Sequence, residues 1–218
     1  MNDVLHIHNL SVGYKLPLME SFNLRVKHGE MLAITGKNGS GKTTLLRTIA
    51  GLMKPLHGQI HIGEKNIHEL SNNEQARLVS ITLTQRIALQ GIDVKTLVMM
   101  GRYPMQGRFH FGNSEDDMQV MHCIDRMQIG HLANEPLARL SDGESQKAMI
   151  AKSLAQQTPL LLMDEPTAFL DYEAKEDLMR LLRSLCETEN LAVLFTSHDL
   201  ELVRKYADNR IEIEKKIA

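Results

Sequence analysis

The chain has 218 residues, of which 43% are hydrophobic and 24% charged, so it can bury a core of its own and does not have the composition of a disordered segment. Its 25 Lys and Arg against 27 Asp and Glu leave a formal charge of -2, which gives no reason to expect a nucleic-acid surface. The 2 cysteines, Cys123 and Cys186, are too few for a disulfide scaffold and read as reduced, buried thiols.

Taken in chain order, Leu5-His6-Ile7-His8 and the stretch from Ser21 to Val26 read as antiparallel strands bounded by turns. Met31-Leu32-Ala33-Ile34-Thr35 is continuously apolar, as a strand covered on both faces should be. A glycine-rich turn follows, then a helix from Thr43 to Ala50, and Gln59 to Ile62 reads as another antiparallel strand. Ser71-Asn72-Asn73-Glu74 has capping-box spacing and should start a short helix. Val79 to Leu83 is a further buried strand. The middle, from Asp93 to about Gln156, is mostly helical, with Ser114 to Met127 and Glu144 to Gln156 the clearest helices and a loop between Gly101 and Gly112. Leu160 to Met163 and Leu191 to Phe195 are strands. Between them Leu178, Leu181, Leu182 and Leu185 mark one face of a helix from Tyr172 to Glu189. The pattern predicts an α/β fold of one domain, residues 1–218, with a mostly parallel sheet, an N-terminal antiparallel β layer and a helical subdomain inserted at about 90–156.

No apolar run approaches the ~20 residues that span a bilayer. Met1-Asn2-Asp3-Val4 lacks the basic start of a secretory signal. The chain is therefore expected in the cytoplasm, free to dock on a membrane protein. His6, His8 and His61 raise the question of a metal site. No nearby Cys or carboxylate completes a ligand set, so they read as partly exposed residues of the β layer. The 13 methionines read as core filler.

Gly36-Lys37-Asn38-Gly39-Ser40-Gly41-Lys42-Thr43 fits G-x-x-x-x-G-K-[ST], between a predicted strand and a predicted helix. Glycines let the backbone turn tightly and aim successive N–H groups at phosphate oxygens, and the helix N-terminus adds partial positive charge. Lys42 can reach the β- and γ-phosphates of a nucleotide, and Thr43 can ligate Mg²⁺. Asp164 and Glu165 follow the strand Leu160 to Met163, at the end of a parallel strand where ligands bind. Asp164 suits the Mg²⁺ shell, and Glu165 suits a base for the attacking water.

With these motifs the chain resembles the ATP-binding subunit of ABC transporters over nearly its whole length, and so a P-loop NTPase core. Leu140-Ser141-Asp142-Gly143-Glu144 resembles the LSGGQ signature. Gln85 matches the Q-loop, Ala168-Phe169-Leu170-Asp171 the D-loop, His198 the switch histidine and Tyr14 the aromatic that stacks on adenine. The resemblance implies a homodimer with ATP and Mg²⁺ held between the phosphate loop of one copy, including Thr44, and the signature of the other. It implies that Ser141 and the backbone at Gly143 contact the γ-phosphate in trans and that His198 contacts it in cis. It also implies that Gln85 joins the metal site to a permease and that Asp171 bridges the dimer. Asp142 stands where the family has its first signature glycine, and Glu144 where it has glutamine; the resemblance implies activity all the same.

Leu97-Val98-Met99-Met100-Gly101-Arg102-Tyr103-Pro104 resembles the V-x-x-G-R-x-P stretch of ATPases that import siderophores, haem or cobalamin, and that stretch faces the permease. The leading expectation is an importer ATPase on the cytoplasmic face of the inner membrane, served indirectly by an extracytoplasmic substrate-binding protein. The alternatives are the ATPase of a metal-ion importer or exporter, a soluble ABC protein, and a protein that uses ATP only to dimerise. Relatives usually continue beyond the position of Ala218. All the motifs lie upstream, so ATP binding is expected not to need that part.

Overall fold

The computed structural model describes residues 3–84, 91–105 and 114–214. The first strands, β1 (Asp3–Gly13) and β2 (Pro17–Lys27), form an antiparallel pair. With β4 (His57–Ile62) and β5 (Lys65–Asn66) they make a four-stranded antiparallel sheet of order β2-β1-β4-β5. Within it His6 lies directly opposite His61.

The second sheet holds β3 (Met31–Gly36), β6 (Val79–Thr82), β7 (Leu160–Met163), β8 (Ala192–Thr196) and β9 (Asn209–Ile213). Its order is β6-β7-β8-β3-β9, and every neighbouring pair is parallel. Successive residues of its strands face opposite sides, as the two-residue period requires. Met31 and Ala33, Leu161 and Met163, and Val193 and Phe195 join a helical core cluster. Leu32 and Ile34, Leu160 and Leu162, and Ala192 and Leu194 join a second cluster with α1 (Lys42–Ile49) and the antiparallel sheet. Both faces are covered, which is why these strands read as unbroken apolar runs.

The remaining helices are α2 (Asn72–Ala76), α3 (Val94–Met99), α4 (Ser114–Arg126), α5 (Asp142–Ala155), α6 (Tyr172–Glu189) and α7 (Leu200–Tyr206). Ser71 caps α2 in a reciprocal capping box with Glu74, as the spacing predicts. In sequence α3, α4 and α5 lie between β6 and β7, the place expected for the inserted helices. Where a loop is predicted, Met100–Met105 forms 3-10 turns, continuing α3 through Pro104; the rest of that predicted loop falls outside the described residues. Cys123 and Cys186 are free and buried. Burial raises the Cys123 thiol and pushes that of Cys186 up to about 12. Among the described residues no helix is long and apolar enough to cross a membrane.

Candidate functional site

Three strands end together at the carboxyl edge of the parallel sheet, β3 at Gly36, β7 at Met163 and β8 at Thr196. Open parallel sheets bind ligands at that edge. The turn from β3 into α1 wraps around it. Gly36 and Gly41 hold φ of 150° and 96°, and a Cβ on Gly36 would fall 2.4 Å from the carbonyl oxygen of Ile213. Only glycine fits there. Gly41 is the N-cap of α1 and offers no capping side chain, so the first N–H groups of the helix remain for an anion.

Lys37, Asn38 and Gly39 are exposed at the tip of the loop, whereas Ser40 and Lys42 are buried. Lys42 Nζ donates to the carbonyls of Gly36 (2.8 Å) and Lys37 (3.3 Å). Ser40 Oγ is buried with no hydrogen-bond partner. Leu18, Asn38, Thr44, Asp164 and Glu165 complete, with the loop, a cleft of about 310 Å³.

The two carboxylates are held differently. Asp164 is buried, and both its oxygens accept hydroxyls: Oδ2 from Thr43 and Oδ1 from Thr196, each at 2.8 Å. Its carbonyl accepts the hydroxyl of Thr84. Glu165 sits at φ 46°, a left-handed conformation that costs a non-glycine residue on the order of 1–3 kcal/mol and recurs at functional sites. Its N–H donates to Thr196 Oγ1 (2.8 Å), and its Oε2 lies 2.8 Å from His198 Nδ1. A proton on Nδ1 makes the imidazole the donor to that carboxylate. One hydrogen-bonded chain therefore runs from Thr43 through Asp164 and Thr196 to Glu165 and His198.

Hard oxygen donors suit Mg²⁺, which takes one or two carboxylates together with substrate phosphates and waters. Thr43 and Asp164 offer such a pair, and the phosphates would supply the rest. Among the described residues no three His, Cys, Asp or Glu side chains converge to hold a metal ion by themselves.

The other expected residues that the structure describes lie outside the lining of the cleft. Tyr14 is 68% exposed on the turn between β1 and β2. Ser141 is the N-cap of α5 in a second capping box: its Oγ accepts the Glu144 N–H (3.3 Å), and Glu144 Oε2 accepts both the N–H and the hydroxyl of Ser141 (2.8 and 2.7 Å). These bonds from Ser141 hold the Glu144 carboxyl below the usual range. Asp142 lines a small groove shared with Thr84, Glu165 and Phe169. A Cβ on Gly143 would meet nothing closer than Ala174 Cβ at 3.6 Å, so the chain's own packing does not demand glycine there. Asp171 caps α6, accepting the Ala174 N–H at 2.8 Å. Gln85 lies outside the described residues.

Thr196, Thr84 and Leu18 were not legible as site residues. Thr196 carried a usable signal: it is polar at the end of an apolar strand and two residues before His198.

A Gly-rich loop cradled at the edge of a parallel sheet, with a carboxylate pair and a histidine opposite it, defines a P-loop nucleotide-hydrolysing enzyme. A family model described as ABC transporter matches residues 19–168, and the chain belongs to that family, as its ATP-binding ATPase component. It is 39% identical over 209 residues to an uncharacterised ABC transporter ATP-binding protein of Methanocaldococcus jannaschii, covering 94% of this chain and 71% of that one. It is 35% identical over 207 residues to the ferric enterobactin transport ATP-binding protein of Escherichia coli, covering 94% and 76%. Among solved structures, a metal-chelate type ABC transporter in an inward-facing conformation matches with a TM-score of 0.88 at 28% identity, over 100% of this chain and 82% of that one. A dimeric ATP-binding cassette in a post-hydrolysis state with ADP and Pi matches at 0.83 and 25%, over 98% and 97%.

Proposed function

We propose that this chain is the ATP-hydrolysing subunit of an importer for a metal chelate of the siderophore, haem or cobalamin kind. The transport role named for the enterobactin relative and the resemblance of Leu97–Pro104 support this reading. Residues 1–218 then act as one ATPase domain, with the helices of about 90–156 as its helical subdomain. Two copies face each other head to tail; that the matching cassette is a dimer supports the pairing. They sit on the cytoplasmic face of the membrane beneath an integral permease, which an extracytoplasmic binding protein supplies with cargo.

In this reading Gly36 to Thr44 hold the phosphates of ATP, with Lys42 swinging from its loop carbonyls to the β- and γ-oxygens. Tyr14 stacks on adenine. Thr43 and Asp164, joined by Gln85, hold Mg²⁺, which when bound neutralises charge on the phosphates. Glu165 takes the proton of the attacking water, and His198 fixes the Glu165 carboxylate and reaches the γ-phosphate. Ser141 and the Gly143 backbone, at the N-terminus of α5, face the γ-phosphate of the neighbouring copy. Gly143 leaves room for that approach. Asp171 bridges the two copies, Glu144 caps the signature helix, and Asp142 points its charge away from the phosphates.

The observation that carries the proposal is Glu165, held by His198 and by Thr196 beside the Thr43–Asp164 pair. Affinity purification of the tagged chain from membranes in mild detergent tests the transport half. A polytopic membrane protein in equal amount is expected. Recovery only with ribosomes or DNA-repair proteins, or only in the soluble fraction, would overturn the importer reading.

A further inference from the structure

On the reading that this chain drives a permease, we propose that Arg102 is a positioning residue: with Gly101 it forms a rigid joint between the permease-facing segment and the rear of the helix that carries Ser141. Displacement of that segment would then swing Ser141 toward or away from the neighbouring copy's nucleotide.

The sequence reads Gly101-Arg102-Tyr103-Pro104 as part of a loop. The structure divides its residues. Tyr103 is 52% exposed, but Arg102 is only 7% exposed and reaches inward. Arg102 Nε donates to Asp116 Oδ1 in α4 at 2.8 Å. Its Nη1 donates to the carbonyl of Ala155, the last residue of α5, at 2.8 Å, and to Gln157 Oε1 at 2.6 Å. A buried guanidinium is costly unless it is fully paired, and its planar fork fixes several partners in one geometry, which an ammonium does not. Gly101 adds an independent constraint. A Cβ there would fall 2.1 Å from the carbonyl oxygen of Lys152 and 3.1 Å from Ala155 Cβ. The backbone of the segment therefore rests directly on the last turn of α5.

The rear of α5 is also tied to the parallel-sheet core, because Gln156 Nε2 donates to the carbonyl of Val79 at 3.1 Å. The segment itself meets the end of α2, where Arg77 Nε donates to the carbonyl of Pro104 at 3.0 Å. That end of α5 is a fulcrum. The front end is a rigid tip, because the capping box binds Ser141 to the first turn of the helix. Fourteen residues at 1.5 Å each place the tip about 21 Å from the fulcrum, so a tilt of ~5° moves it by ~2 Å. That is enough to make or break a hydrogen bond.

The test uses the chain in complex with its co-purified permease. Arg102→Lys keeps the charge and loses the fork. Gln157→Ala removes one acceptor from an exposed position and puts little of the fold at risk. Thermal stability, nucleotide affinity, hydrolysis by the isolated chain and hydrolysis by the complex are measured for each. Allosteric couplings of this kind are typically about 5- to 150-fold, so Arg102→Lys should lower the ratio of permease-stimulated to basal hydrolysis by about that much. Nucleotide affinity and basal hydrolysis should stay unchanged. Gln157→Ala should lower the same ratio by less.

An unchanged ratio in folded Arg102→Lys would overturn the proposal. So would a fall of basal and stimulated rates together with thermal stability, which is what a merely structural role produces. Should Arg102→Lys not fold, an unchanged ratio in Gln157→Ala overturns the proposal equally. A wild-type complex that forms but shows no stimulated turnover removes the coupling itself; failure to recover any permease removes the importer reading and this inference with it.

Discussion

Asp164 and Glu165 are adjacent in sequence, yet their surroundings separate them. Asp164 is buried, with one threonine hydroxyl on each carboxylate oxygen; Glu165 is half-buried, strained and turned toward His198. Glu165→Gln should keep ATP binding and lower turnover by about 10²–10⁴, the range for a removed general base, measured by steady-state hydrolysis beside a nucleotide-binding titration. Wild-type turnover in that variant would dismiss Glu165 as the base. Lys42→Ala should abolish nucleotide binding or weaken it greatly in the same titration. Thr196→Val is a different kind of change. It would leave Asp164 Oδ1 and the Glu165 N–H without their partner, a cost on the order of 1–3 kcal/mol in a denaturant titration, and it should reduce turnover by misplacing Glu165. The loop was legible because its residue types have few other uses at that spacing, and Asp164 and Glu165 because they follow an apolar strand in a chain that also carries the loop. Thr196 was not, because a threonine at a strand end is common and its role depends on β7 and β8 lying side by side. Leu18 was hidden for a similar reason: only the tertiary fold carries β2 to the loop.

At the scale of elements, the altered signature has a local explanation. Glu144 at the third helical position reaches back to Ser141, so its carboxylate belongs to the helix cap and lies favourably at a helix N-terminus. Glu144→Ala should therefore destabilise α5 by roughly 0.5–2 kcal/mol, the usual value of a cap, read from the denaturation midpoint. Asp142→Gly should retain hydrolysis, because Asp142 is not part of that cap; complete loss would assign Asp142 a role in turnover. The same carboxylate logic joins α6 to α7. Lys205 and then Tyr206 hydrogen-bond Glu176 and hold its carboxyl below the usual range. A depressed carboxyl stabilises the fold above its unfolded pKa, and that stabilisation is lost as pH falls through the lower folded value. Protection of the α7 amides, taken relative to their intrinsic exchange rates at each pH, should therefore be high at neutral pH and fall in acid below the ordinary carboxylate range. Glu176→Gln should remove that acid step, and an unaltered step would assign it to another group. The capping box of α2 and the leucine stripe of α6 were legible, since both are local patterns. The 3-10 turns at Met100–Met105 were not. Their glycine and proline favour a loop, and the packing of Gly101 on Lys152 that overrides this is non-local.

For the whole molecule, the alternation of apolar runs and amphipathic stretches was enough to predict a parallel sheet with an added antiparallel layer. It did not contain the strand order. β3, early in the chain, lies between β8 and β9, late in the chain, and only long-range packing sets that adjacency. The order brings the loop after β3 within reach of the residues after β7 and β8. Site and topology are therefore one fact: the motif residues are spread over more than 160 positions from Gly36 to His198 and meet only once the sheet has closed.

The buried cysteines give the molecule a built-in clock. Thiol reagents attack thiolates, and burial both screens Cys123 and Cys186 and disfavours their ionised forms. Neither should label while the native packing holds. The rate at which either sulfur becomes modified then reports how often the surrounding core opens. Cys123 on α4 times the inserted helices, and Cys186 on α6 times the helix that leads from Asp171. Comparing the two rates with and without nucleotide would reveal which half of the molecule ATP stills.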